Sequence, residues 1–225
     1  MDLRFFEIYR NPEYLLLLLE GSAVSVALTL SAALAALILA VVLAILRHER
    51  VFVLGWLAAA YVDFIRNTPL IVQLFFIAFG LPRLLEYTWP FWAHALLALT
   101  LNFSAYFSEI IRTGFHEIGE DQTEAAKSLG MSKFSIILKI IVPQSIAKMY
   151  PSLNSQFVFL FLTTGVISEI SVRDLTYAGV FIDSRSFRSF EVFIVLTMIY
   201  IILSLLFKYI LLKIERKVFN WKFAR

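Results

Sequence analysis

The 225-residue chain contains no cysteine, so disulfides, thiolate metal sites and cysteine nucleophiles are excluded. Histidine is nearly as scarce. His48, His94 and His116 are the only three, and they stand too far apart in sequence to suggest a metal site. Charge is sparse as well, at 16% of residues against 60% hydrophobic, whereas a soluble domain of this length carries more charge and alternates it more often. No G-x-x-x-x-G-K-S/T phosphate loop occurs, nor any Gly-Lys pair, so nucleotide binding by that route is excluded. No catalytic constellation is found. The first 13 residues include Asp2, Glu7 and Glu13, which argues against a cleavable signal peptide with its basic start.

What the chain does have is long apolar blocks. A helix crossing about 30 Å of hydrocarbon needs about 20 mostly apolar residues. Five stretches qualify as spans of an all-α integral membrane protein, at about 21–46, 56–80, 92–114, 150–168 and 192–212. Residues 1–19 then form an external N-terminal segment, 20–212 the membrane domain and 213–225 a basic tail. Charge-free runs this long are rare in soluble helical cores. The net charge of +3 gathers near the ends of the blocks, which fits a membrane–cytosol boundary better than a nucleic-acid surface.

Five spans put the termini on opposite sides, and lysine and arginine choose the side. With the N-terminus outside, thirteen basic residues fall on inner segments, among them Arg47, Arg50, Arg112, Lys127 and Lys148, and six on outer ones. The N-out, C-in arrangement also makes the segment at about 120–145, "EDQTEAAKSLGMSKFSIILKIIVPQS", cytoplasmic. Asp121 and Glu124 read as a D-x-x-E capping box at a helix start. Gly130 suits a left-handed helix end. Ser132 suits the cap of a second short helix, with Phe134, Ile137 and Ile141 on one face. Pro143 disfavours helix at Val142 and is expected to redirect the chain toward the fourth span. Two readings remain open on periodicity alone: a lever with an exposed tip, or an interfacial helix that only packs beneath the spans.

Here the sequence resembles a known family. Glu124-Ala125-Ala126, then Gly130, then Ile140-x-Val142-Pro143 is similar to the EAA pattern of the permease subunits of type I ABC importers, with Val142 where leucine is usual. "YVDFIRNTPLIVQLFFIAFGLP" at 61–82, "AYFSEIIRTGFHEIGEDQTEAAKSLGM" at 105–131, "PSLNSQFVFL" at 151–160 and "DLTYAG" at 174–179 resemble the polar amino-acid subgroup. The resemblance covers roughly residues 20–212. It implies a type I permease fold in the bacterial inner membrane and a coupling helix carrying Glu124, Ala125, Ala126, Gly130, Met131 and Pro143. It also implies two separate ATPase subunits that bind ATP and Mg, a second permease, and a periplasmic or surface substrate-binding protein. Permeases of this subgroup commonly carry a Lys-Asp pair where this chain has Leu162 and Thr163, so either this chain binds ligand with neutral groups or, as is expected, a non-identical second permease supplies the charged contacts. The rival readings are an ion-gradient carrier working alone, which usually shows more spans and an internal repeat, and a non-transporting membrane scaffold.

Other polar residues in the spans each have two readings. Asp63 with Arg66, and Glu109 with Arg112, are spaced i,i+3 and form either local ion pairs or parts of a gate. Asn102, Ser104, Tyr106 and Glu109 in the third span, with Asn154, Gln156, Thr163 and Thr164 in the fourth, either glue helices together or line a polar path. Trp89 and Trp92 read as interface anchors. Glu169, Arg173 and Asp174 lie in an outer loop that is either solvated or a dock for an external binding protein. The sequence does not name the transported amino acid.

Overall fold

The computed structural model describes residues 4–222, without the side chains of residues 7, 9, 120 and 222. Asp2 and Arg225, used above in reading charge, lie outside the described residues. Every regular element among the described residues is helical. In chain order these are α1 (Phe6–Tyr9), α2 (Pro12–His48), α3 (Phe52–Arg66), α4 (Leu70–Phe75), α5 (Leu81–Leu85), α6 (Phe91–His116), α7 (Glu120–Ser128), α8 (Lys133–Ile136), α9 (Val142–Thr163), α10 (Leu175–Ser186) and α11 (Ser189–Val218). Single π-turns at Phe76–Gly80 and Ile137–Ile141 join α4 to α5 and α8 to α9, and a 3₁₀ stretch at Thr164–Ile170 extends α9.

Three helical runs are long and apolar enough to cross a membrane: Pro12–His48, Lys133–Ile170 and Ser189–Val218. The pair Phe52–Arg66 and Leu70–Leu85 makes a fourth if counted as one broken span. α6 is long enough at 26 residues but is not among them. It carries His94, Asn102, Ser104 and Ser108, all buried, which lower its apolar character. Several expected boundaries change. α2 begins at Pro12, so residues 12–19 are helical and continuous with the expected first span. Proline is at home there, because the first helical N–H has no partner to lose. The second span breaks at residues 67–69. Pro69 disfavours helix just before it, while Asn67 Nδ2 donates to the Asp63 carbonyl (2.7 Å) and Thr68 Oγ1 to the Phe64 carbonyl (3.0 Å), which satisfies the carbonyls of the last turn of α3. The basic tail stays helical as far as Val218.

The chain divides into two compact units, residues 1–32, 70–99 and 158–208, and residues 33–69, 100–157 and 209–225. In the first, Ile8, Leu18, Leu175, Ala178, Ile182, Val192 and Leu196 form the core. α2 approaches the start of α10 so closely that a Cβ on Gly21 would lie 2.6 Å from the Asp174 carbonyl oxygen. Ser25 Oγ accepts from the Leu175 N–H at 3.1 Å. Asp174 Oδ1 accepts from the Tyr177 N–H at 2.9 Å and so caps α10. Asp174 is fully buried, and that burial pushes its carboxyl up to about 6, so of the two readings of the outer loop neither holds for this residue. Glu169 and Arg173 are exposed.

The second unit has its core at Leu43, Ala58, Val62, Ile65 and Ala105. The α2 sequence explains its packing. Ala33, Ala36, Ala40 and Ala44 recur at helical spacing and are buried, while Leu34, Ile38 and Val42 follow a parallel stripe and are exposed. Small residues bring helix backbones close and large apolar ones are left outward, the pattern of a helix with one packed face and one lipid face. α6 and α9 meet just as closely: a Cβ on Gly114 would lie 2.8 Å from Met149 Cγ and 3.0 Å from Ser145 Cβ.

Candidate functional site: the α7 turn and the Glu109 ion cluster

α7 starts at Glu120 with Gly119 as N-cap and no side-chain cap hydrogen bond. Asp121 is therefore the second residue of the helix, and the expected capping box with Glu124 does not form. The other end is as expected. Gly130 has φ +75°, its N–H donates to the Lys127 carbonyl (2.9 Å), and the Met131 N–H reaches back to the Ala126 carbonyl (3.2 Å). These two bonds make a Schellman close, which requires a left-handed residue at Gly130. Ser132 then caps α8 by accepting from the Ser135 N–H at 3.3 Å.

The second short helix is not short. α8, the π-turn and α9 run on as one helix through Val142 and Pro143, so Pro143 does not redirect the chain. The π-turn immediately before the proline changes the hydrogen-bond spacing at the point where the missing proline N–H and the ring would otherwise disrupt an α-helix. It also shifts the apolar face. Ile136, Ile137, Ile141 and Val142 are buried, while Phe134 is 68% exposed instead of sharing a face with Ile137 and Ile141. Ion pairs hold this region: Lys133 to Glu49 at the end of α2, and Lys148 to Glu117 at 3.0 Å.

Within the α7 segment, Ala126 packs inward, while Glu124, Ala125 and Gly130 are exposed and Met131 is half-buried. Leu129 is 82% exposed, and a Cβ on Gly130 would meet nothing within 4 Å. A groove of about 400 Å³ beside it is lined by His48, His116, Thr123, Glu124, Lys127 and Ile141. Pro143 is exposed but lies on α9, away from the turn in sequence.

The Glu109 carboxylate gathers three guanidiniums. Arg112 lies at 2.5 Å, Arg47 at 2.7 Å and Arg66 at 3.6 Å. The Glu109–Arg112 pair was legible from the i,i+3 spacing. The Asp63–Arg66 pair was not formed: Arg66 turns to Glu109 and stacks over Tyr106 at 5.6 Å, and Asp63 is exposed without an ion pair among the described residues. Arg47 is the residue that sequence reasoning missed. It was read only as a topological charge, although it sits one helix end away from the third span. Charges of both signs near the ends of three apolar stretches were the available signal.

The remaining polar residues separate. Ser104 Oγ and Tyr61 OH lie 2.8 Å apart and both reach the Leu101 carbonyl, which ties α3 to α6. Asn102 is buried beside them in sequence, and Asn154 is buried with Oδ1 lacking a hydrogen-bond partner. Gln156 is half-buried. Thr163 and Thr164 belong to the other unit, and each donates to a backbone carbonyl of its own helix, Phe159 (2.7 Å) and Phe161 (2.7 Å).

With this geometry in view, the comparisons are specific. Residues 36–220 match the family described as the binding-protein-dependent transport system inner membrane component. The chain belongs to this family. It is 31% identical over 204 residues to a glutamine transport system permease protein, GlnP, of Rickettsia typhi, covering 91% of this chain and 94% of that one. It is 32% identical over 202 residues to the arginine transport system permease protein ArtQ of Bacillus subtilis, covering 89% and 92%. A solved amino acid ABC transporter, determined with histidines, matches with TM-score 0.84 and 30% identity over 96% of this chain and all of that chain. The MetNI methionine ABC transporter matches at TM-score 0.79 and 16% identity over 92% and 99%, which shows the fold alone. The expected ABC importer permease is thus borne out.

Glu109→Gln leaves three guanidiniums around a neutral amide. Losing the carboxylate of a buried pair costs about 3–5 kcal/mol. With Glu109 22% exposed, a smaller loss of about 2 kcal/mol is expected, read as a lower unfolding temperature in detergent. An unchanged transition would show that the cluster does not hold α2, α3 and α6 together.

Proposed function

We propose that this chain is the permease subunit of an ATP-driven importer of polar amino acids in the bacterial inner membrane, and that α7 with the Gly130 turn docks on a separate ATPase. The observation that carries this is the α7 tip. A soluble-facing leucine left 82% exposed, next to a glycine with open space around it, is a surface waiting for a partner. The chain has no phosphate-loop sequence of its own, so two partner ATPases would bind ATP and Mg and move the two coupling helices together. A substrate-binding protein would deliver ligand from the outer side. Relatives named for glutamine, arginine and octopine transport support a polar amino-acid cargo.

Gly130→Val tests the docking directly. A β-branched residue in the left-handed region costs about 1–2 kcal/mol, and the Schellman close should open. The variant subunit should insert normally, and the complex that carries it should hydrolyse ATP without transporting. Normal uptake in proteoliposomes would count against the docking geometry.

In this reading α2, the α3–α4 pair, α6, α9 and α11 are five spans with the N-terminus outside. Arg47, Arg112 and Lys148 then join the other inner cations of the basic bias. A reporter that works only in the cytoplasm, fused after Arg225, should be active. Activity of only an external reporter at that site would overturn both the orientation and the cytoplasmic place of α7.

The second permease is proposed to be non-identical. Leu162 and Thr163 stand where the subgroup commonly has Lys-Asp, and the Thr163 hydroxyl is already engaged by its own helix. A desolvated zwitterionic ligand needs charged partners, which the other subunit would supply. Expressed with the ATPase and binding protein but without another permease, the chain should fail to transport. Full ATP-dependent uptake by that homodimeric assembly would sink the proposal.

A further inference from the structure

The end of α2 and the start of α3 border an open pocket of about 320 Å³ that the transport cycle above does not use. Arg47, Arg50 and Arg112 line it, together with Phe52, Trp56 and Ala59. Its charge is one-sided. Arg47 and Arg112 share the single Glu109 carboxylate with Arg66, so one anion faces three cations. Arg50 makes no ion pair at all among the described residues, and Arg112 Nε is buried without a hydrogen-bond partner. Asp63, on α3 one turn beyond Ala59, is exposed and neutralises none of these arginines. Glu49 is engaged by Lys133. A pocket with spare guanidinium N–H donors takes an anion, and guanidinium forks match a phosphate best.

The walls say which phosphate. Phe52 is 93% exposed and Trp56 69%, and Val53, Leu54 and Leu57 continue the same uncovered apolar surface along α3. Tryptophan at the end of a span belongs at headgroup depth, with basic residues beside it attracting anionic lipid. A soluble phosphate would use the arginines and leave this surface idle. A phospholipid uses both, with its headgroup in the arginine cavity and its acyl chains along Phe52, Trp56 and Leu57.

We propose that the α2–α3 corner is a binding site for an anionic phospholipid, with Arg50 as its principal free cation. The site is independent of the solute carried and of the ATPase surface. The left-handed backbone of Arg50 (φ +49°) forms the corner itself, turning the chain between the two helices.

The test is native mass spectrometry of the full chain released from nanodiscs of phosphatidylglycerol and phosphatidylcholine in equal parts. The wild type should retain phosphatidylglycerol in preference. Arg50→Gln should weaken that retention about five-fold, the size expected for one cation facing an anionic lipid. Arg50→Lys should restore most of it, and Lys213→Gln, at the far end of α11, should change nothing. Equal retention of both lipids by the wild type would overturn the proposal without recourse to any variant. So would unchanged retention in Arg50→Gln. Displacement of the lipid by millimolar inorganic phosphate alone would show a soluble-anion site instead.

Discussion

One carboxylate organises the compact unit that carries α7. Glu109 is placed on α6, and its three guanidinium partners come from the end of α2, the end of α3 and the next turn of α6. Four charges in an apolar protein are costly separately, and each is tolerable only because the others are there. The cluster therefore fixes three helix ends at once. The short α2–α3 corner and the Tyr61–Ser104 contact between α3 and α6 follow from that convergence. The Lys133–Glu49 pair then carries the order one step further, from the end of α2 to the start of α8.

A different constraint shapes the breaks. In hydrocarbon, a backbone carbonyl with no partner is too costly to leave open. Several interruptions in these helices accordingly bring their own substitute partners, donors for open carbonyls and acceptors for open N–H groups. Asn67 and Thr68 close α3 before Pro69, and Gly130 with Met131 closes α7. Asp174 and Ser25 serve the start of α10. Short polar residues that look out of place in an apolar sequence are found at these points because the backbone needs them there.

Much of this could be read from the residues, and the failures have identifiable causes. The helical class, the apolar blocks and the left-handed turn at Gly130 follow from composition and local sterics, which act over a few residues. The Glu109–Arg112 pair follows from helical spacing. The partners Arg47 and Arg66 do not, because they arrive from other helices and spacing says nothing about that. Asp121 looked like a cap because of its neighbour three residues on, yet Gly119 already supplies an extended backbone (ψ 146°), and the helix starts two residues earlier. Pro143 looked like a break because prolines usually are one, and the π-turn that accommodates it has no clear sequence mark. Phe134 was expected on the face of Ile137 and Ile141, yet it lies in the first turn of α8 and is exposed.

That π-turn between Ile137 and Ile141 is, in effect, one surplus residue wound into a helix. Its neighbours on either side are in register only because the surplus is there or because it is cleanly gone. Shortening the chain by one residue inside the turn would return it to ordinary α spacing and leave the faces of α9 as they are. The same deletion a few residues later would rotate everything beyond it by about 100°, carrying buried Leu153 and Leu160 to the exposed places of Ser152 and Phe159 and exposed Ser155 to the buried place of Asn154. The helix thus has one place where its length is negotiable, and it lies between the cap at Ser132 and the apolar run that begins at Tyr150.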